Sequence, residues 1–345
     1  MTRHALILAL LVVTTSVGHA GACLSESLER AEALVVEHRY EDAERLVQES
    51  ALAHPDSPSV ALQEVVLYYT WIDDFGIVDS LAPHFAAAVE RTIQVAGAAL
   101  ETDQANARAL FARGSAMMYR TVFRAYTEGV GLANVPSLVG DARAGIEDME
   151  AALAAEPEFH DPMVGIGKYR YWKYDRLPWP FSSDKDRRAG LGLLEAALQL
   201  GVQSEAGAIQ TLGWTYVSEG RYEDAKRLVA PMIERYPESR FFREIRARAL
   251  LYEEHWDAAR EEYGELLEIL AESGGERPFL QMKYGARLAQ IDEKTGRHYE
   301  ACMRAQRLRR LDYSGVHERW LSKRMRLVTD IMRTSCPRAS RERRR

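Results

Sequence analysis

The sequence predicts an all-α solenoid of stacked helix–turn–helix units, about seven helix pairs closed by a C-terminal capping helix. Three observations carry this. Residues 207–237, GAIQTLGWTYVSEGRYEDAKRLVAPMIERYP, read as two helices joined at Gly220 and stopped by Pro237. The pattern recurs, because Ala247, Trp256 and Ala259 each stand 34 residues after Gly213, Tyr222 and Ala225; a fixed period held at three positions marks tandem stacking. No stretch shows the apolar–polar alternation of a half-buried strand.

Within the unit, Gly213 on the first helix and Ala225 on the second are small enough to bring two helices together, with Tyr216 and Tyr222 filling the space around them. Gly220 suits the left-handed conformation after a last helical turn. Leu212-Gly213, Tyr216, the Gly220-x-Tyr222-x-x-Ala225 run, Val229, Met232 and Pro237 together resemble the tetratricopeptide repeat, although Ile209 replaces its tryptophan and Met232 is larger than its usual alanine. The resemblance covers most of residues 24–335 and is specific around 24–57 and 205–310. It implies a right-handed helical-repeat solenoid and a non-enzymatic protein. Proteins of this kind hold peptides or helices on a concave surface and assemble complexes.

The first repeat is AEALVVEHRYEDAERLVQESALAHP, with helices expected from about Ser25 and from Tyr40; Tyr40, Ala43 and Pro55 take the places of Tyr222, Ala225 and Pro237. VALQEVVLYYTWI, apolar nearly all round, predicts an interior helix, and an alanine-rich helix follows it. Residues 106–126 form a first helix with Gly114 and Ala116 as its small positions. The stretch 127–141, with three glycines and a proline, reads as an inserted loop with a short helical piece, its partner helix resuming at Ala142. MEAAL and LEAAL end two successive pairs, the second after a long link over 177–186 that Ser183 or Asp184 can cap. The pattern restarts at Ala289, Gly296, His298 and Ala301, and Tyr313–Thr334 is the expected capping helix.

The chain ends are distinct. Arg3, the apolar run from Ala5 to Val13 and Ala20-Gly21-Ala22 form a secretory signal over 1–22, whose apolar run is too short for the roughly 20 residues a membrane span needs. Residues 23–335 are then the solenoid and 336–345 a basic, disordered tail. Export to the periplasm or beyond follows. Cleavage after Ala20 or Ala22 is one reading; acylation of Cys23, anchoring the chain to the membrane, is the other. Of three cysteines, Cys302 and Cys336 remain as a disulfide pair, worth about 3 kcal/mol at that loop length, or as two buried thiols.

Composition and motifs exclude more than they assign. A net charge of −6 and a pI near 5.9 give no basic face outside the tail, against a nucleic-acid partner. Gly129-x-Gly131 and Gly165-x-Gly167 lack the third glycine of a dinucleotide loop. The nine histidines show no metal-ligand spacing, so neither metal nor cofactor is implied. His38 and His298 read as packing residues. Asp73-Asp74 reads as a solvated helix end, since adjacent residues on a helix do not face one another. Catalysis has no support.

One stretch exceeds what packing needs. KYRYWKYDRLPWPF, 168–181, interleaves aromatics with cations. Lys168, Tyr169, Arg170, Tyr171, Trp172, Lys173, Tyr174 and Arg176 are therefore the candidate partner-binding residues, for a protein or peptide; the competing reading puts Tyr169 and Trp172 in the interhelix core. A solute-binding or transporter-accessory role, with 127–141 and 177–186 closing a pocket, is the alternative function.

Overall fold

The computed structural model describes residues 24–131, 133–176, 183–274 and 277–336, without the side chains of 174–176. The expected signal segment, Cys23, the link 177–182 with Trp179 and Phe181, and the tail from 337 lie outside the described residues. Among the described residues, fifteen helices follow one another: α1 (24–36), α2 (Tyr40–Ala53), α3 (Pro58–Phe75), α4 (Ala82–Thr102), α5 (Ala107–Thr127), α6 (Val135–Ala155), α7 (Asp161–Arg176), α8 (Asp184–Leu200), α9 (Glu205–Ser218), α10 (Tyr222–Arg235), α11 (Arg240–Tyr252), α12 (Trp256–Glu272), α13 (Pro278–Lys294), α14 (His298–Arg309) and α15 (Glu318–Ser335). They form seven antiparallel pairs and a cap. Among the described residues the only extended pairing is one antiparallel bridge, Ile77 to Val316, and no helix is long and apolar enough to cross a membrane.

The repeat is visible as one turn used four times. His38, Gly220, Glu254 and Gly296 all have φ between 60° and 75°. In each case the next residue donates its N–H back across the helix end: Arg39 to Leu34, Arg221 to Tyr216, His255 to Leu250 and Arg297 to Asp292, at 2.8–3.0 Å. This Schellman closure satisfies carbonyls that the helix end would orphan. The residue after that, Tyr40, Tyr222, Trp256 or His298, opens the second helix of the pair. The second and third pairs do not use this turn, and with the fourth, whose link lies outside the described residues, they are the pairs whose sequences depart most from the period.

Two expectations about packing need correction. The second helix of the third pair starts at Val135, not Ala142: Pro136 sits in its first turn, where a missing N–H costs nothing, and Gly140 lies inside it. The closest backbone approaches are not at Gly213, where an added Cβ would meet the Ile245 and Val229 side chains at 3.1–3.4 Å. They are between α5 and α6, where a Cβ on Gly114 would meet the Gly145 carbonyl at 2.5 Å, and between α7 and α8, where one on Gly190 would meet the Tyr171 nitrogen at 2.6 Å. Gly167 is thus half of a helix-crossing pair with Gly190. The cap helix begins at Glu318, later than Tyr313, and a disulfide between Cys302 and Cys336 ties its end to α14.

The odd-numbered helices form the inner layer. Besides its pair partner, α5 packs on α3, α11 on α9 and α15 on α13. The superhelix also returns on itself, since α3 meets α13, and the end of α3 is pinned to the cap. His317 donates its N–H to the Gly76 carbonyl at 3.1 Å. Trp320 Nε1 donates to Asp73 at 3.4 Å, and Arg319 donates to the Glu128 carbonyl at 3.1 Å. The first pair is held against the middle of the chain: Val36 belongs to the apolar cluster of α8–α11, and Ser204 donates to Glu32 at 2.7 Å.

Candidate functional site: the inner face

Asp73 and Asp74, at the end of α3, show how the inner face is made. Adjacent residues on a helix point about 100° apart, the angle that 3.6 residues per turn dictates, so the two carboxylates enter different surroundings. The solvated-end reading fails for Asp74, which is only 2% exposed. One of its oxygens, Oδ2, accepts from the Arg240 guanidinium, from Tyr40 at 3.0 Å and from His38 Nδ1 at 2.9 Å. His38 Nε2 in turn accepts the backbone N–H of Arg240 at 2.9 Å. An N–H can only donate, so Nε2 carries no proton, and His38 is neutral with its proton on Nδ1. Burial lowers the His38 pKa. Burial alone would raise the Asp74 pKa, but Arg240 and His38 override it and hold the carboxyl below its usual range. This network joins the first pair, α3 and α11 across 166 residues, and His38 accepts a left-handed backbone to take part.

Asp73 faces the other way. It and Lys168 keep solvent-accessible side chains, yet protein surrounds both closely enough that desolvation raises the Asp73 pKa and lowers that of Lys168. Both groups are therefore accessible and yet closely surrounded by protein. Tyr69 of α3, on which the Asp73 charge acts, and Tyr119 of α5 are half-buried, with their rings 4.9 Å apart.

Charge then runs along the inner helices at i, i+4 spacing. On α11, Arg240, Glu244 and Arg248 follow one another, and on α13, Lys283 and Arg287; on α15, Arg324 stands four residues after the neutral Trp320. Lys283 reaches Glu244 at 2.6 Å, and Arg248 reaches the same carboxylate at 3.5 Å. The Arg248 guanidinium lies 5.6 Å from the Trp214 ring centroid and 5.8 Å from that of Tyr252, and it donates to the Tyr263 hydroxyl at 3.2 Å.

The 168–181 candidates separate by environment. Tyr171 is corrected to a core residue: it is 3% exposed, and its hydroxyl donates to Glu219. Tyr169 is half-buried beside the Ile146, Met149 and Ile166 cluster. Arg170 pairs with Glu150 at 2.9 Å and Lys173 with Asp186 at 3.5 Å. Trp172 is half-buried, edge-on to Tyr171. The side chains of Tyr174 and Arg176 lie outside the described residues. Lys168 is exposed and lies near enough to Asp73 to feel its charge. Among the described residues no cluster of His, Cys, Asp and Glu has the geometry to hold a metal ion.

No protein-family model matches the sequence, and no curated protein does. Solved structures similar to it include PilW, a widely conserved type IV pilus biogenesis factor (13% identity, 73% of this chain and 98% of that chain, TM-score 0.49). A tetratricopeptide repeat protein from Parabacteroides merdae is similar over 91% of this chain and 99% of its own (13% identity, TM-score 0.39). A thermophilic repeat protein of Thermus thermophilus is similar over 66% and 99% (17% identity, TM-score 0.42). The fold is a tetratricopeptide-type helical-repeat solenoid. That statement rests on the pairs, their period and their common turn, to which likenesses this distant add nothing.

Proposed function

We propose that this chain is a non-enzymatic binding scaffold of the bacterial cell envelope, which takes a protein or peptide partner on the inner face of the solenoid. The observation that supports the reading is the pair Lys168 and Asp73, which stay accessible although protein surrounds both closely. A fold built only for self-association would close the space around them with apolar side chains, because an unfilled polar group out of water costs free energy. The signal-like residues 1–22 favour export, and Cys23 offers a lipid anchor. The alternative, a solute pocket closed by two inserted loops, has less loop to work with, because α6 starts at Val135 and takes 135–141 into helix.

The experiment is crosslinked capture from envelope extract with the chain carrying Lys168→Glu and Tyr252→Ala, beside the wild type. A partner lost only by the variant supports recognition on the inner face. A partner retained by both moves recognition to the outer helices. Thermal-shift screening with envelope metabolites separates the solute reading, since a ligand bound to the folded state raises Tm by mass action.

A further inference from the structure

Arg248, Arg287 and Arg324 come from three successive inner helices, and each is only half-exposed. They are near enough that Arg248 and Arg324 both act on Arg287 by charge repulsion. Burial and this repulsion lower the pKa of Arg287; burial lowers that of Arg324, with Arg248 adding to the effect. Guanidiniums elsewhere in this protein mostly have carboxylate partners, as Arg113 has Asp148 at 2.7 Å and Arg221 has Glu195 at 2.7 Å. Arg287 donates to the Gln290 amide oxygen at 2.9 Å, and Arg324 donates to the Trp320 carbonyl at 2.5 Å while its guanidinium lies 4.9 Å from the Phe279 ring centroid. Among the described residues no carboxylate lies within 4 Å of either. Glu244 is already shared by Lys283 and Arg248.

Three cations gathered out of bulk water with too few anions destabilise the fold that gathers them. Such an arrangement is what a preformed anion site requires. Guanidinium forks suit carboxylate and phosphate alike, but Glu244 and Asp73 share the face, and their charge opposes a dense polyphosphate more than spaced carboxylates. The Trp214 and Tyr252 rings beside Arg248 offer apolar surface to side chains between those carboxylates.

We infer that Arg248, Arg287 and Arg324 form a recognition site for an acidic peptide segment, whose carboxylates add to the counter-charge that Glu244 and Asp73 supply. This rests on the inner-face reading above and names the chemistry of its partner.

The test uses the full chain and two labelled peptides, hexaglutamate and hexaglutamine, with fluorescence anisotropy at low salt. Hexaglutamate should bind at least about tenfold more tightly, and Arg287→Gln and Arg324→Gln should each weaken it by about tenfold, as expected for loss of one charge-assisted pair. Arg227→Gln, on the outer helix α10, should leave binding unchanged, and the basic tail contributes equally to every variant. Without peptide, Arg287→Gln and Arg324→Gln should keep or raise Tm, because each relieves repulsion. Equal weakening by Arg227→Gln, a fall in Tm or loss of fold in Arg287→Gln, or tripolyphosphate binding more tightly than hexaglutamate would overturn the assignment. An envelope partner captured equally by wild type and by Arg287→Gln would also remove it, while leaving partner binding by the scaffold in place.

Discussion

Replacing Arg240 with methionine tests how the first pair is locked to the rest. The Arg240 and Asp74 side chains are 3% and 1% exposed, so the discount that applies to solvent-screened surface pairs does not arise. Removing the guanidinium leaves a buried carboxylate with His38 and Tyr40 as its remaining donors. Breaking a buried pair this way costs about 3–5 kcal/mol. The carboxylate can escape by taking a proton, which at pH 7 costs about 4 kcal/mol from an ordinary pKa near 3.9, so the loss should settle at about 3–4 kcal/mol. That escape becomes easier by about 1.4 kcal/mol for each pH unit removed, so the penalty should shrink toward pH 5. Asp74→Asn with Arg240→Met should recover part of it, because the amide oxygen can still accept from His38 or Tyr40. Urea unfolding followed by circular dichroism reads this as a fall in midpoint at constant slope. A loss below about 1 kcal/mol at pH 7, or a double variant no more stable than Arg240→Met, would refute the reasoning, since the network could not then be a desolvated ion pair.

Other outcomes follow from single observations. His38 is neutral and its pKa is lowered in the folded state; the unfolded chain therefore binds more protons below about pH 6.5, and stability present above that value should fall as pH drops through it, with Asp74 adding a further loss below about pH 4. A pH series of unfolding midpoints checks both, and His38→Gln should remove the upper step. Gly190→Ala would press a Cβ against the Tyr171 nitrogen at 2.6 Å and should cost about 1–3 kcal/mol, whereas Gly97→Ala, inside α4 with open space around it, should gain about 0.5–1 kcal/mol. Reduction of Cys302–Cys336 should cost about 3 kcal/mol and increase hydrogen exchange in α15 before other helices.

Local signals carried the parts of this fold that are local. The left-handed turn residue and the aromatic or histidine two positions later appear in sequence at Gly220-Tyr222 and Gly296-His298, and the helix boundaries there match the expectation. The glycine crossings escaped because each needs a partner on another helix: Gly165-x-Gly167 looks like a failed nucleotide loop until Gly190 is placed beside it. Asp74 escaped for the same reason on a larger scale, since Arg240 arrives from 166 residues away. The inner-face arginines are regular within each helix, as Arg240, Glu244 and Arg248 or as Lys283 and Arg287, but only the curvature of the solenoid brings α11, α13 and α15 to one place. The aromatic run at 168–174 stood out in the sequence for its composition, and the structure assigns Tyr171 to packing and leaves Lys168 exposed.

The central claim, that recognition takes place on the inner face, is tested most directly by site-specific photocrosslinking in the producing cells. A benzophenone amino acid replaces Tyr252, beside Arg248 at the end of α11, or Tyr299, which stands 73% exposed on the outer helix α14. A discrete adduct from position 252, absent from 299, is the predicted result. An adduct from 299 alone would place recognition on the outer face and contradict the account.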